Sequence, residues 1–190
     1  MVNNAPCVYK APSVYKSAGG GGGGKIVKDT VKLGGITYKL FFFAGFIFSE
    51  NLKWPVDLGV NTFAPNGDNN NIAEYGYLYT RPARNALRAN INNLGAEWGK
   101  WAVLSNSGQI KLISEAYDTY TLNDRIAKFN PQFAGLRRAN GNYAAFGSSF
   151  CLGYGDTDEY YCDITNVSFK PSLSTANNCA FSLRMVLLSD

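Results

Sequence analysis

Residues 19–24 are six consecutive glycines, and no hydrophobic core can be built continuously through them. Glycine brings no side chain to pack and loses more conformational freedom on ordering than any other residue. The run therefore divides the chain into an arm (residues 1–18), a glycine linker (19–24) and a remainder (25–190) that must supply any core by itself. The remainder suffices for one domain and is too short for two well-filled ones. A coil of six glycines has a root-mean-square reach of roughly 13 Å.

The arm is built differently from the linker. A six-residue unit occurs twice in it, as Ala5-Pro6-Cys7-Val8-Tyr9-Lys10 and Ala11-Pro12-Ser13-Val14-Tyr15-Lys16. Pro6 and Pro12 bias the backbone towards extended conformations, and Val8, Tyr9, Val14 and Tyr15 supply apolar anchors. Such a peptide has no core of its own. It can lie along another protein with its two units in two similar grooves, or it can be an ordinary unstructured terminus. The retained Val-Tyr-Lys of both units favours docking.

Charge and composition exclude several function classes. With 18 basic and 14 acidic residues the chain is mildly basic, which a solvated surface explains without nucleic-acid binding. Histidine is absent, which removes Ser-His-Asp and Cys-His mechanisms and any His-bearing zinc site. The first thirty residues hold Pro6, Pro12 and the glycine run where a secretory signal needs an apolar stretch. The apolar stretch Leu40–Phe48 is too short to span a bilayer. The expectation is a protein that does not insert in a membrane and uses no such signal. The four cysteines, Cys7, Cys151, Cys162 and Cys179, form no C-x-x-C pair. They read as small buried hydrophobes of a reducing compartment, with a Cys151–Cys162 bridge as the sharper alternative.

Within residues 25–190, Thr30–Leu33, the Gly34–Gly35 turn and Ile36–Phe43 read as a hairpin. Ala44–Gly45 then turns the chain into Phe46–Ser49. Residues 61–71 read as loop. Thr80 is placed to cap a helix with Pro82 in its first turn. Ala83, Leu87, Ile91 and Leu94 form its apolar stripe, and Arg81, Arg84 and Arg88 form a second stripe, read as a solvated face rather than a phosphate site. A second helix is expected from about Ser107, burying Ile110, Ile113, Ala116 and Tyr117, and a shorter one over Leu122–Lys128. Phe181–Leu188 reads as a final strand entering the core. Strands at both ends with helices between them predict an α+β domain with neighbouring termini.

Several segments resemble a known family. "GGITYKLFFFAGFIFSENLKW" (34–54), "YGYLYT" (75–80), "KWAVLS" (100–105), "FNPQFAGLRRANGNYAAFGSSF" (129–150) and "FSLRMV" (181–186) follow the order and spacing of the Fibrobacter succinogenes major paralogous domain. The resemblance covers residues 28–190 and implies a C-type-lectin-like fold: two helices on a small, mostly antiparallel sheet with a long-loop region. Two departures stand out. Phe150-Cys151-Leu152-Gly153-Tyr154 replaces the family's Tyr-Trp-Ser-Ser segment, and Met185 stands where the final strand usually has Cys. The arm, with "PSVYKS" ahead of glycines, is similar to that of head fibre proteins of crAss-like tailed phages infecting Bacteroidales.

Residues 153–161, "GYGDTDEYY", gather Asp156, Asp158 and Glu159 with Tyr154, Tyr160 and Tyr161. Such oxygens can hold Ca²⁺, but the spacing is not that of an EF-hand, and a solvated acidic loop explains them more simply. Tyrosines present rigid amphipathic area on which sugars stack, so Tyr154, Asp156, Asp158, Glu159 and Tyr160 are the candidate ligand-binding loop; packing within a sheet competes for Tyr160 and Tyr161. Asn66–Asn71 is a second polar loop able to bond hydroxyls. No acidic pair is singled out for glycoside hydrolysis, and neither Cys151 nor Cys162 has a basic neighbour in sequence. The expectation is therefore no enzyme, no cofactor and no metal. What the resemblances imply is a homotrimeric virion protein on the capsid surface. It would dock on a capsid protein through Pro6, Val8, Tyr9, Pro12, Val14 and Tyr15 and display a glycan-binding domain. A bacterial cell-surface lectin-like adhesin is the alternative.

Overall fold

A computed structural model describes residues 28–44, 46–57, 59–103, 114, 116, 118, 120–153, 160–165, 168–173 and 179–189. The arm and the linker lie outside the described residues, so the docking assigned to the arm rests on sequence. The described chain is α+β, with short helices set against curled, mostly antiparallel sheets.

The first hairpin forms as expected. Strand β1 (Thr30–Leu33) exposes Thr30 and Lys32 and buries Val31 and Leu33, and it pairs with β2 (Ile36–Phe43) across Gly34–Gly35. Strand β3 (Phe46–Asn51) follows and is buried throughout. An all-buried strand needs cover on both faces, and β3 has it. Ile47 joins a cluster with Tyr38, Ala83, Leu87, Ile91 and Trp101, while Phe46 and Phe48 join one with Phe129, Phe150, Leu152 and Ile164. Strand β13 (Arg184–Ser189) sorts likewise, Met185 and Leu187 to the first cluster and Val186 to the second. The five-stranded sheet runs β1-β2-β3-β13-β6, where β6 is Lys100–Val103.

A six-stranded sheet lies beside it, in the order β11-β10-β9-β12-β5-β4. Its strands are β4 (Thr62–Phe63), β5 (Leu78–Tyr79), β9 (Ser149–Gly153), β10 (Tyr160–Thr165), β11 (Ser168–Leu173) and β12 (Phe181–Ser182). The expected single strand Phe181–Leu188 is thus two, one in each sheet. The break falls at buried Leu183, whose carbonyl accepts from Leu52 N at 2.8 Å. Residues 61–71 are also more ordered than a loop. Thr62 is fully buried and exchanges hydrogen bonds with the Val56 backbone, so Thr62–Phe63 pairs with β5 before two 3₁₀ turns (Pro65–Gly67 and Asn69–Asn71).

After the one-turn helix α1 (Ile72–Tyr75), helix α2 (Arg81–Asn90) begins after Thr80 with Pro82 in its first turn. It buries Ala83 and Leu87, with Ile91 buried just beyond its end. Two details differ from the sequence reading. The Thr80 hydroxyl bonds Asn61 Oδ1 at 2.9 Å and does not cap an amide of the helix. Arg84 is buried, not solvated: its Nη1 donates to Tyr79 O at 2.9 Å and its guanidinium lies 5.3 Å from the Phe181 ring centre. Of the expected second helix, Ser114, Ala116 and Asp118 are helical and Ala116 is buried. Ile110, Ile113 and Tyr117 lie outside the described residues. Helix α3 (Leu122–Phe129) forms where predicted, its start fixed by the Thr121 hydroxyl accepting from Asp124 N at 3.2 Å.

Two buried tyrosines pin the segment that leaves β3. Lys53 N donates to the Tyr38 hydroxyl at 3.2 Å, and the Tyr79 hydroxyl reaches the Leu52 and Trp54 carbonyls at 3.0 and 2.9 Å. Burial pushes the Tyr38 phenol up to about 12 and that of Tyr79 well above its usual value. The folded state therefore keeps protons that the unfolded chain loses near pH ~10. Their stabilising effect is complete below that pH and is lost as pH rises towards the folded values. Urea unfolding followed from pH 8 to 12 should show stability falling above about pH 10, and Tyr38→Phe should flatten that fall. An unchanged slope in the variant would contradict the assignment.

Candidate functional site

The strands β4 and β9, which lead into two candidate loops, end on the same side of the six-stranded sheet. Strand β4 is antiparallel to β5, β5 is antiparallel to β12, and β12 is parallel to β9, so β4 and β9 run the same way. Phe63, Leu78, Ser182 and Leu152 stand in one row across them. The chain leaves β4 into residues 64–71 and β9 into residues 154–159 from that same end. Three strand spacings separate the exits, roughly 14 Å. Tyr154, Asp156, Asp158 and Glu159 themselves lie outside the described residues. Tyr160 opens β10, its backbone opposite Leu173.

The polar loop at 66–71 is largely tied to itself. Asp68 Oδ1 accepts from Asn70 N at 2.9 Å, and Asn71 Nδ2 donates to Pro65 O at 3.1 Å. Against its first 3₁₀ turn packs a small ribbon of β7 (Leu136–Arg137) and β8 (Tyr143–Ala144). The ribbon is anchored by Arg137, whose backbone exchanges hydrogen bonds of 3.0 and 2.8 Å with Ala180. Phe63, Tyr75 and Tyr143 are half-buried around Leu78, Ala134 and Ala180, and Phe146 meets Tyr75 edge-on at 5.1 Å. Asn66, Asn69, Asn70, Arg138, Asn140 and Asn142 are exposed around these rings. Half-buried aromatics bordered by exposed amides are what a recognition surface is made of.

Within this surface the Arg137 guanidinium lies 3.9 Å from the Phe63 ring centre, its strand register facing Tyr143. Two glycines allow the close packing. A Cβ on Gly141 would come within 3.3 Å of Arg137 Nη2, and one on Gly67 within 3.3 Å of the Tyr143 ring, and both have positive φ. The sequence reading did not single out Arg137, Tyr143 or Phe63. The available signal was Asn140–Gly141 between two short β-prone runs, a hairpin mark that reads as loop in so polar a stretch.

The cysteines carry a different message. Cys151 is a free buried thiol, opposite Asp163 in the strand register, while Cys162 stands opposite Leu152. The bridge between Cys151 and Cys162 is therefore not formed. Ser149 Oγ lies 3.6 Å from Cys151 Sγ and donates to Asp163 Oδ1 at 2.5 Å. Burial dominates the Cys151 thiol and pushes it up to about 12, against a smaller lowering by the Ser149 hydrogen bond. A thiol so protonated is a poor nucleophile. Among the described residues no cluster of three His, Cys, Asp or Glu could hold a metal ion, and no helix is long and apolar enough to cross a membrane.

Comparison with known families, curated proteins and solved structures gave no match to this chain.

Alkylation of the native protein by iodoacetamide at pH 8 should leave Cys151 unmodified over times that label it fully in denaturant. Peptide-resolved mass spectrometry reads this directly. Rapid native labelling of Cys151 would show that the thiol is neither buried nor protonated as described.

Proposed function

We propose that the chain is a structural virion protein, a head fibre or decoration protein held on a phage capsid by its arm and displaying a glycan-binding domain. The observation that carries this reading is the order of parts. Two Pro-x-Val-Tyr-Lys units precede a six-glycine tether, and the residues beyond it supply a core of their own. The described core runs from Val31 to Leu187. In this reading the arm (1–18) docks on a capsid protein, the linker (19–24) lets the domain turn, and residues 25–190 form a C-type-lectin-like domain. Two longer helices packed on a sheet, with β4 and β9 ending on one side of the six-stranded sheet, support the lectin-like reading. The aromatic and amide surface around Phe63, Tyr143 and Asn66 gives the domain a face suited to host-surface or mucus glycans, and the chain enters the loop of Tyr154, Asp156, Asp158, Glu159 and Tyr160 from β9, a strand of the same six-stranded sheet as β4.

The energetics favour several arms acting together. Each buried Val or Tyr of the arm contributes on the order of 1.5–3 kcal/mol before ordering costs. A single arm then binds weakly, because its backbone must be ordered on docking. Arms joined in one oligomer raise each other's effective concentration through the tether. A homotrimer, the usual form of a fibre, satisfies this.

Replacing both Tyr9 and Tyr15 by Ser should release the protein from phage particles while leaving its thermal midpoint unchanged. A chain shortened to begin at Lys25 should fold and likewise fail to attach. Wild-type occupancy of particles by the doubly substituted protein would refute the arm as anchor. Presence of the native protein on the bacterial envelope and not on particles would favour the adhesin instead.

A further inference from the structure

We propose that the Arg137 guanidinium anchors a site for an acidic sugar, gripping the carboxylate of a uronic or sialic acid unit with a two-pronged hydrogen bond. The inference rests on the glycan-binding reading and narrows it to carboxylate-bearing glycans. Three other arginines show how this domain uses a guanidinium for structure. Arg84 donates to Tyr79 O, Arg125 to Tyr120 O, and Arg184 to Asn51, Phe129 and Asn130. Arg137 does otherwise. Its side chain is half-exposed, it stacks on Phe63 at 3.9 Å, and among the described residues no carbonyl or carboxylate accepts from its guanidinium.

The Phe63 ring holds one side of the guanidinium at 3.9 Å, which leaves its N–H groups for a ligand. A planar fork held in this way matches a carboxylate bidentately, which an ammonium cannot do. The surroundings suit an anion bearing hydroxyls. Arg138 is exposed next in the chain and adds a second positive charge, and Asn66 and Asn142 expose amides on the adjoining turns. The carboxylate of Asp68, the acidic group of the adjoining loop, is engaged by its own turn through Asn70 N at 2.9 Å. The half-buried ring of Tyr143, cross-strand from Arg137, offers apolar area to a sugar ring.

The test is calorimetric titration of the full chain with sialyllactose, trigalacturonate, sulfated lactose and lactose. The wild type should bind both carboxylate sugars about tenfold or more tightly than lactose. Arg137→Gln should abolish that preference with an unchanged thermal midpoint. Arg137→Lys keeps the charge without the fork and should lose most of it; it carries the test if Arg137→Gln does not fold. Either variant retaining the wild-type preference overturns the proposal. Equal affinity for lactose and the acidic sugars overturns this site but leaves the glycan reading standing, whereas binding of none of the four overturns both. Binding of sulfated lactose alone overturns the carboxylate assignment.

Discussion

The buried guanidinium of Arg184 joins the five-stranded sheet to the end of α3. Arg184 is 1% exposed, and burial lowers it to about 9, so it stays charged at neutral pH. Desolvating a charge is costly unless its hydrogen bonds are all met. Nε donates to Asn51 Oδ1 at 3.0 Å, and the two terminal nitrogens donate to Phe129 O and Asn130 O at 2.7 Å each. These carbonyls close α3, where a helix end leaves acceptors without partners and carries negative potential. The rings of Phe129, Phe150 and Phe41 lie 4.6, 4.9 and 5.5 Å from the guanidinium carbon and add cation–π attraction.

The network extends from there to the candidate site. Asn51, which accepts from Arg184, donates through Nδ2 to Tyr75 O at 2.8 Å, and its amide donates to Gln132 Oε1 at 2.9 Å. Gln132 Nε2 in turn donates to Glu74 O. One side chain thus ties β13 and β3 to α1, to the end of α3 and to the segment at 130–135 that leads into the ribbon carrying Arg137. Leu183, next to Arg184, marks where the chain passes from one sheet to the other. The clamp is therefore also what seats the second half of the split final strand.

What could be read from the sequence was local. Val31 and Leu33 alternate with Thr30 and Lys32, and Gly34–Gly35 closes the hairpin, so β1 and β2 were legible within a dozen residues. Helix α3 was legible over Leu122–Lys128, and the structure adds its Thr121 cap. What escaped depends on partners far along the chain. Arg184 and Phe129 are 55 residues apart, and nothing in "FSLRMV" shows that its arginine will find a helix end. Arg84 looked solvated because it shares a helical stripe with Arg81 and Arg88. The break at Leu183 was hidden because Phe181–Leu188 reads as one strand-forming stretch. The ribbon of β7 and β8 was obscured because its strands are two residues each, too short for alternation to register.

The central claim is that Arg184 ties the five-stranded sheet to the end of α3, and urea unfolding of Arg184→Met tests it most directly. Methionine preserves apolar bulk but leaves Asn51 Oδ1 and Phe129 O buried without their donor, and removes the donor to Asn130 O at the exposed helix end. Each unmet group costs about 1–3 kcal/mol, so the account predicts a loss of about 3–5 kcal/mol or outright failure to fold. A loss below about 1 kcal/mol, the range of an ordinary surface substitution, would contradict it.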